Sequence, residues 1–410
     1  MTRKTPSRRA VMGALAAAGA ATGGASPATA APRPSLMQDI TTFVSLGEHR
    51  CGTEAEARTA QWLADRLGAL GYATETVPFP VRTFREPGGV LSAGGLEIAA
   101  FPQWRAPEAA LGRPVVGELR DLPRAAPGCV ALAAQPFRAN AYWQPAQQQA
   151  AFQAHSAGAA ALVIAMAEPT DQIYACNQEA SADLPLPVAI IAPSQLARVV
   201  ALGGVQARLE LRGVPIDTQG LYVTAHRPGQ GEAIIVSTPL TGWFRCGAER
   251  GPGVALLLRL AGDLAASRRP VWLVATGAHE LGHMGMKRAL ASGRLPRPDQ
   301  AALWIHLGAG IGAQALDARY GVASPRALTL SPDLEPLVRE RLPVADWLRV
   351  VPGPTAPGEA GDVAAAGYPR MLGLAGGFPG FHTPGDDGHA VDPDRLSSIA
   401  DGLTTLVSRI

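Results

Sequence analysis

The chain has 410 residues, 47% of them hydrophobic, and its 36 Lys and Arg residues nearly balance 34 Asp and Glu residues, for a formal net charge of +2. This length and apolar content can build one large core and a second, smaller one, so a globular protein is expected and a disordered one is excluded. No basic block with interleaved aromatic residues occurs, which argues against a nucleic-acid partner.

Residues 1–31 have the features of an export signal. The arginine pair at Arg8 and Arg9 precedes a Gly- and Ala-rich, weakly apolar run, and the small residues from Ala28 to Ala30 suit a signal peptidase. The pattern resembles a bacterial twin-arginine signal, and an ordinary secretory signal would lead to the same destination. We therefore predict an exported protein, periplasmic or extracellular. No later run of apolar residues is long enough to span a bilayer, so no integral membrane contact is expected.

Four cysteines follow this segment, at Cys51, Cys129, Cys176 and Cys246. Export permits their oxidation, but the sequence does not choose among the pairings that four cysteines allow. Their spacing matches no zinc ribbon. Structural or free thiols are predicted.

A helix and a loop begin the first domain. Apolar residues at helical spacing between Glu54 and Leu70 predict a helix that packs one face on a sheet, and Gly71 provides its stop. His49 lies in the loop just upstream. We predict that it is a surface histidine.

The pattern of predicted elements changes between residues 110 and 213, where short strands alternate with Pro- and Ala-rich connections. A helix is predicted from Gln147 to Gly158, and strands are predicted at Val115-Val116, Cys129 to Ala133, Ala161 to Ile164 and Val188 to Ile191. Side chains that could serve as ligands are scarce in this span.

Two short segments of this span resemble parts of the protease-associated domain that is inserted into many secreted exopeptidases. They run from Ala154 to Ala159 and from Leu184 to Val188. The resemblance implies a lid that controls substrate access and carries no catalytic residue. The alternative is a generic α/β insertion in which His155 caps a helix.

The remainder of the chain predicts a second series of strands and helices. A helix opens after Gly253 and a closing helix runs from about Asp394 to Arg409. Residues 330–349 are predicted to be helical, and residues 350–361 to form a Pro- and Gly-rich loop. Strands are predicted at Leu221 to Thr224, Ala233 to Ser237, Val271 to Ala275, Trp304-Ile305 and Met371 to Leu374.

The strand from Val271 to Ala275 organises the expected chemistry. His279 and Glu280 follow it directly, and side chains just beyond such strands face the crevice where open α/β sheets place their ligands. The letters from His279 to His283 also fit a helical zincin, in which two histidines hold zinc and the glutamate activates water. That alternative stays open, although the motif lies close to the strand and Ala289 stands where a metzincin would have a third histidine.

The order of these elements resembles the zinc exopeptidases of peptidase family twenty-eight, which are secreted bacterial aminopeptidases. The resemblance covers residues 36–410 if the insertion is counted. It is strongest at Gly251 to Val254, Ala278 to Gly282 and Phe381 to Thr383. It implies a three-layer α/β/α sandwich with a mixed, mostly parallel sheet. The catalytic domain would comprise residues 32–109 and 214–410, and residues 110–213 would form a smaller inserted α/β lid.

The family binds two zinc ions, and the resemblance implies where its ligands fall here. The first histidine falls on Pro239, and Thr241 stands in place of the aspartate that follows it. The remaining positions, in chain order, are Glu249 for the bridging aspartate, His279 for the general base, Glu280 for its neighbouring ligand, His306 for the next aspartate and His382 for the last histidine.

This pattern favours a site with one zinc ion over a site with two. Glu249, Glu280 and His382 would supply the three protein ligands that a catalytic zinc needs, whereas the second ion would keep only Glu249 and His306. His279 would act as general base, since an imidazole has a pKa of about 6.5. His283 and Asp386 are predicted to contact these groups without binding the metal, with Asp386 orienting His382.

The sequence thus predicts an exported, zinc-dependent hydrolase of the aminopeptidase type that acts on peptide or aminoacyl substrates. Two alternatives stay open. The first is a catalytically silent relative that uses the crevice for binding, because Pro239 and Thr241 have replaced ligands. The second is the helical zincin with His279 and His283 as ligands. Substrate preference and oligomeric state are not specified by the sequence.

Overall fold

A computed structural model describes residues 35–410 except 106, 138–142, 144, 179–182, 314–326, 343–348 and 352–354. The predicted signal at residues 1–31 lies outside the described residues. The strands of the described residues form one mixed sheet. The predicted fold class, an α/β fold on a mixed and largely parallel sheet, is confirmed.

The strands have the following bounds: β1 Ala73–Ala93, β2 Leu96–Pro102, β3 Val115–Asp121, β4 Val130–Gln135, β5 Ala161–Met166, β6 Val188–Ile191, β7 Gln206–Arg227, β8 Ala233–Pro239, β9 Val271–Thr276, β10 Ala301–Leu307, β11 Ala327–Leu330, β12 Arg349–Val351 and β13 Met371–Ala375. Their order in the sheet is β1-β2-β6-β5-β4-β3-β7-β9-β8-β10-β13-β11-β12, and β1 also pairs with β7. In the centre, β9, β8, β10 and β13 run parallel to one another. Their carboxyl ends therefore lie at one edge of the sheet.

Nine α-helices accompany these strands within the described part of the chain: α1 Leu36–Ser45, α2 Glu54–Ala69, α3 Pro145–Ser156, α4 Pro193–Val200, α5 Gly251–Asp263, α6 Met284–Ala291, α7 Glu335–Arg341, α8 Glu359–Ala365 and α9 Pro393–Val407. None of the helices in the described residues is both long enough and apolar enough to cross a membrane.

Helices cover both faces of the central sheet because its strands alternate their side chains. On β8, Ile234 and Val236 join a core with α5 and α9, whereas Ile235 joins a second core with α6 and α8. This alternation is the period of two that a strand imposes. Since both faces are covered, central strands such as β8 are apolar throughout, as parallel strands usually are.

Residues 110–213 contribute strands that continue the sheet. The segments β3, β4, β5 and β6 are parallel neighbours, and the apolar side chains on one of their faces pack with Val199 of α4 and with residues of β1, β2 and β7. The strands and helix that the sequence predicts in this span are confirmed, with β3, β4 and β5 ending later than predicted. Whether this span is a protease-associated domain stays a prediction.

Two predictions for the later chain are wrong in part. Within the range expected to be helical, residues 330–349, Glu335–Arg341 form α7, whereas Leu330 belongs to β11 and Arg349 begins β12. The loop expected over residues 350–361 contains the start of α8, which begins at Glu359. Proline and glycine suggested a loop there, but the buried face of Ala360 and Val363 packs against the sheet and stabilises a helix.

The prediction for His49 is also wrong. The imidazole is fully buried, stacks on Phe43 with ring centroids 3.7 Å apart, and places Nδ1 2.9 Å from the carbonyl oxygen of Arg245. Burial lowers the pKa of His49 to about 4, so it is a neutral core residue.

The buried centre of the sheet predicts a measurable cost for a small truncation. Val236→Ala should destabilise the protein by roughly 2 kcal/mol, because it removes two buried methyl groups and leaves a cavity. Val116→Ala is the matched control, since Val116 is 57% exposed and the change should stay within about 0.5 kcal/mol. Urea denaturation measures both, and equal effects would contradict this description of the core.

Candidate functional site

Four parallel strands bring the predicted site residues to one edge of the sheet. Strands β8, β9, β10 and β13 end at Pro239, Thr276, Leu307 and Ala375. The polar side chains that follow these ends, or lie on their last residues, are buried: Thr241, Glu249, His279, Glu280, His283, His306 and His382. This is the edge where open α/β sheets place their ligand sites.

The stretch from His279 to His283 does not form the helix of a zincin. His279–Leu281 is a single 3-10 turn, and α6 begins only at Met284. Ala278 and His283 have left-handed backbones, with φ of 53° and 57°. The zincin prediction is therefore wrong in its geometry, because the two histidines do not share the face of a continuous helix.

Glu280 is held by hydrogen bonds on both carboxylate oxygens. Its Oε1 accepts from the backbone N–H of Cys51 at 2.7 Å, and its Oε2 accepts from the Thr241 hydroxyl at 2.7 Å. The Thr241 oxygen in turn accepts from the backbone N–H of His279. Burial raises the pKa of Glu280, and these hydrogen bonds oppose that rise. Thr241 therefore positions Glu280 and does not replace an aspartate ligand.

Glu249 lies beside a buried arginine that the sequence analysis did not include in the site. The guanidinium of Arg250 is 1% exposed and places Nη2 2.7 Å from Glu249 Oε1. Its Nε donates to the carbonyl oxygen of Thr241 at 2.9 Å. Burial would raise the pKa of Glu249, but the charges of Arg250 and His382 outweigh it and lower the pKa to about 2. Glu249 is an ionised carboxylate with its counter-ion in the next residue.

His382 completes this contact. Its Nε2 lies 3.1 Å from Glu249 Oε1, and its Nδ1 lies 2.7 Å from the carbonyl oxygen of Ala175. Its backbone is left-handed, with φ of 60°. The structure thus brings Glu249 and His382 together, as the sequence analysis expected.

Asp386 supports the site in a different way from the one predicted. Its carboxylate accepts from the backbone N–H groups of Ala248 and Glu249, at 2.6 and 3.0 Å. The His382 ring is instead oriented by Ala175. Burial raises the pKa of Asp386 to about 7. Asp386 therefore fixes the loop that carries Glu249.

His279 pairs with a second buried acid that the sequence analysis missed. Its Nδ1 lies 3.1 Å from Glu359 Oε1, and the Thr276 hydroxyl contacts both Glu359 oxygens. Burial, followed by the charge of Arg250, holds the pKa of His279 well below its usual range, and burial raises the pKa of Glu359 to about 8. Both groups are thus neutral at neutral pH. The Glu359 contact engages Nδ1, and the lowered pKa of His279 disfavours its predicted role as a base.

The two remaining histidines also have partners. His306 Nδ1 lies 2.9 Å from the Ser237 hydroxyl, which accepts from the Trp304 indole, and burial lowers the pKa of His306 to about 3. His283 Nδ1 lies 2.8 Å from Asp362, and its ring centroid is 4.6 Å from that of His279. These contacts place both residues in the same buried polar layer as the rest of the site.

Residues 174–178, here called the cover segment, close the site from the side of residues 110–213. The backbone N–H of Ala175 donates to the carbonyl oxygen of His382, and that of Gln178 donates to the carbonyl oxygen of Glu280. The Asn177 side chain accepts from the indole of Trp243. All five residues are buried. The cover segment links the two loops that carry His382 and Glu280.

These contacts allow a test of zinc as the resident metal. A catalytic zinc needs three protein ligands around an open fourth position. Arg250 already contacts Glu249, and protein donors already occupy both oxygens of Glu280. Within the part of the chain that the structure describes, no group of three or more His, Cys, Asp or Glu side chains could hold a metal ion. As placed, the predicted donors do not fit a zinc site.

The cysteines contribute neither a disulfide nor a reactive thiol to this layer. All four are free and buried. Burial raises the pKa of Cys246, the one nearest Glu249, well above its usual range, which disfavours the thiolate.

Comparisons with known proteins support the fold and leave the chemistry open. No protein-family model matches the chain, and no curated protein matches its sequence. Solved structures do match. The zinc aminopeptidase BSAP from Bacillus subtilis superimposes with a TM-score of 0.70 and 16% identity, over 92% of this chain and 94% of the other.

Two further structures give the same result. An aminopeptidase from Aneurinibacillus sp. strain AM-1 has a TM-score of 0.62 and 17% identity, over 91% of this chain and 93% of the other. A peptidase M28 precursor from Shewanella amazonensis SB2B has a TM-score of 0.66 and 18% identity, over 90% and 92%. At these identities the similarity shows the fold that this chain shares with zinc aminopeptidases and does not show their activity.

The neutral Glu359 predicts a pH dependence of stability. In the unfolded chain this carboxyl loses its proton near its ordinary pKa of 4.5, whereas in the folded protein it keeps it up to about pH 8. The folded state binds more protons in that window, so its stability falls as pH rises from 5 to 8. Glu359→Gln should reduce this fall, as measured by urea denaturation at several pH values. Glu54→Gln changes an exposed carboxylate, so its stability should depend on pH as that of the wild type does. If the stability of Glu359→Gln falls with pH as steeply as that of both these proteins, Glu359 is ionised in the folded protein.

Proposed function

We propose that this protein binds peptide or aminoacyl ligands on an aminopeptidase-like fold and does not hydrolyse them through zinc. The observation that carries this proposal is the buried Arg250, which pairs with Glu249 at the position where the resemblance implies a metal ligand. A guanidinium at bonding distance from that carboxylate competes with a zinc ion for the same oxygen.

Two further features support binding over hydrolysis, and a third supports the class of ligand. Glu280 has both oxygens engaged by Cys51 and Thr241. His279 is paired with a neutral acid and is poorly suited to accept a proton from water. The solved structures of similar fold are named as aminopeptidases and a peptidase, which supports peptide or aminoacyl compounds as ligands.

The proposal assigns roles to the two parts of the chain. Residues 32–109 and 214–410 would hold the ligand, and residues 110–213 would act as the inserted lid, since the cover segment lies against His382 and Glu280. The export signal predicted for residues 1–31 supports action outside the cytoplasm, in the periplasm or the medium.

The opposing hypothesis is the zinc-dependent hydrolase with Glu249, Glu280 and His382 as ligands, or a two-zinc form that adds His306. Metal analysis and an activity assay separate it from the binding protein. Protein purified without chelator should contain no more zinc than a Glu280→Gln variant prepared in parallel. It should release no product from a panel of aminoacyl nitroanilides, with or without added zinc.

One zinc per chain, together with turnover that Glu280→Gln abolishes, would overturn the proposal in favour of the hydrolase. Thermal unfolding of both preparations checks that the variant is folded, so that a loss of metal cannot be assigned to a loss of structure.

A further inference from the structure

We propose that Arg250 is the ligand-binding cation of this site and that its guanidinium binds a carboxylate group of the ligand. This inference rests on the proposed function, because it names the chemical group by which a peptide or amino acid would be recognised. The metal-binding residues predicted from the sequence would then surround a charged side chain in place of a metal ion.

Arg250 has hydrogen-bond donors that lack a partner in the described residues. Its Nε donates to the carbonyl oxygen of Thr241, and its Nη2 contacts Glu249. Among the described residues, however, neither Nη1 nor Nη2 has a hydrogen-bond partner of acceptable geometry, although both atoms are buried. Leaving buried donors of a charged group unsatisfied costs free energy, and an acceptor that enters the site would recover it.

The positive charge of Arg250 acts on the polar groups of the site. It influences the pKa of Glu280, His306 and Glu359. Helix α5 begins at the next residue, Gly251, so the partial positive charge of its first turn adds to that of the guanidinium. Both features favour an anion.

The shape of the guanidinium selects a carboxylate. Its planar fork matches the two oxygens of a carboxylate and allows two parallel hydrogen bonds. Free amino acids and peptides carry such a group at their carboxyl end, whereas aminoacyl amides do not. His279 and His283, at 6% exposure each, are the most accessible histidines of the site.

Small compounds that differ only in this group provide the test. Isothermal titration calorimetry of the full-length protein with L-leucine and with L-leucinamide should show binding of the acid and a roughly tenfold to hundredfold weaker binding of the amide, the range expected for hydrogen bonds to a charged group. This comparison uses the wild-type protein and needs no variant.

Two variants assign the effect to Arg250. Arg250→Met should abolish the preference for L-leucine, and Arg250→Lys, which keeps the charge but not the fork, should weaken its binding by about tenfold. Arg66→Met is the matched control, because Arg66 forms a comparable ion pair with Asp39 on helices α1 and α2. It should leave the affinity unchanged. If Arg250→Met does not fold, Arg250→Lys and the acid-to-amide comparison decide the question.

The outcomes separate this inference from the proposed function. Equal affinity for L-leucine and L-leucinamide, or no binding of either, overturns the carboxylate site and leaves a metal-free binding protein in place. Stoichiometric zinc with hydrolysis of L-leucinamide overturns the proposed function itself. Binding of L-leucine that survives Arg250→Lys and Arg250→Met unchanged places the ligand elsewhere and contradicts the role of Arg250.

Discussion

The ion pair between Glu249 and Arg250 is the contact on which the rest of the site depends. Both side chains are 1% exposed, so each charge has been removed from water. Burying a charge is costly unless an opposite charge stands beside it, and removing one partner leaves the other uncompensated. The pair therefore explains why Glu249 stays ionised in the interior.

Three neighbouring loops hold this pair in place. Asp386 fixes the backbone of Glu249, Thr241 accepts from Arg250, and the cover segment orients His382 against the carboxylate. Each loop follows a different strand of the parallel sheet or belongs to the inserted span. The fold thus brings together groups that are far apart in sequence. In this protein they surround a side-chain cation, where the resemblance implied a metal ion.

The fold was largely predictable because its signals are local. Apolar runs such as Ala233 to Ser237 and helical spacing from Glu54 predict elements without knowledge of their partners. The loop-like composition near Glu359 hid α8, whose stability comes from packing against the sheet. Helix α8 depends on tertiary contacts, which cannot be read from the periodicity of the sequence.

The site was predictable in its members but not in its contacts. Glu249 and His382 do meet, and Glu280 and His279 do follow β9 at the edge of the sheet. Two buried partners were missed because they look ordinary in the sequence: Arg250 resembles the surface half of an ion pair, and Glu359 stands in a Pro- and Gly-rich stretch. The signal for Arg250 was its position directly before a helix whose residues from Gly251 to Leu258 include no polar side chain.

A crystal structure of the protein soaked in zinc, with anomalous data collected at the zinc absorption edge, tests the central claim most directly. The account predicts no anomalous peak among Glu249, Glu280 and His382, and a guanidinium of Arg250 in contact with the Glu249 carboxylate. A zinc peak bonded to those three side chains, with Arg250 displaced from Glu249, would contradict it.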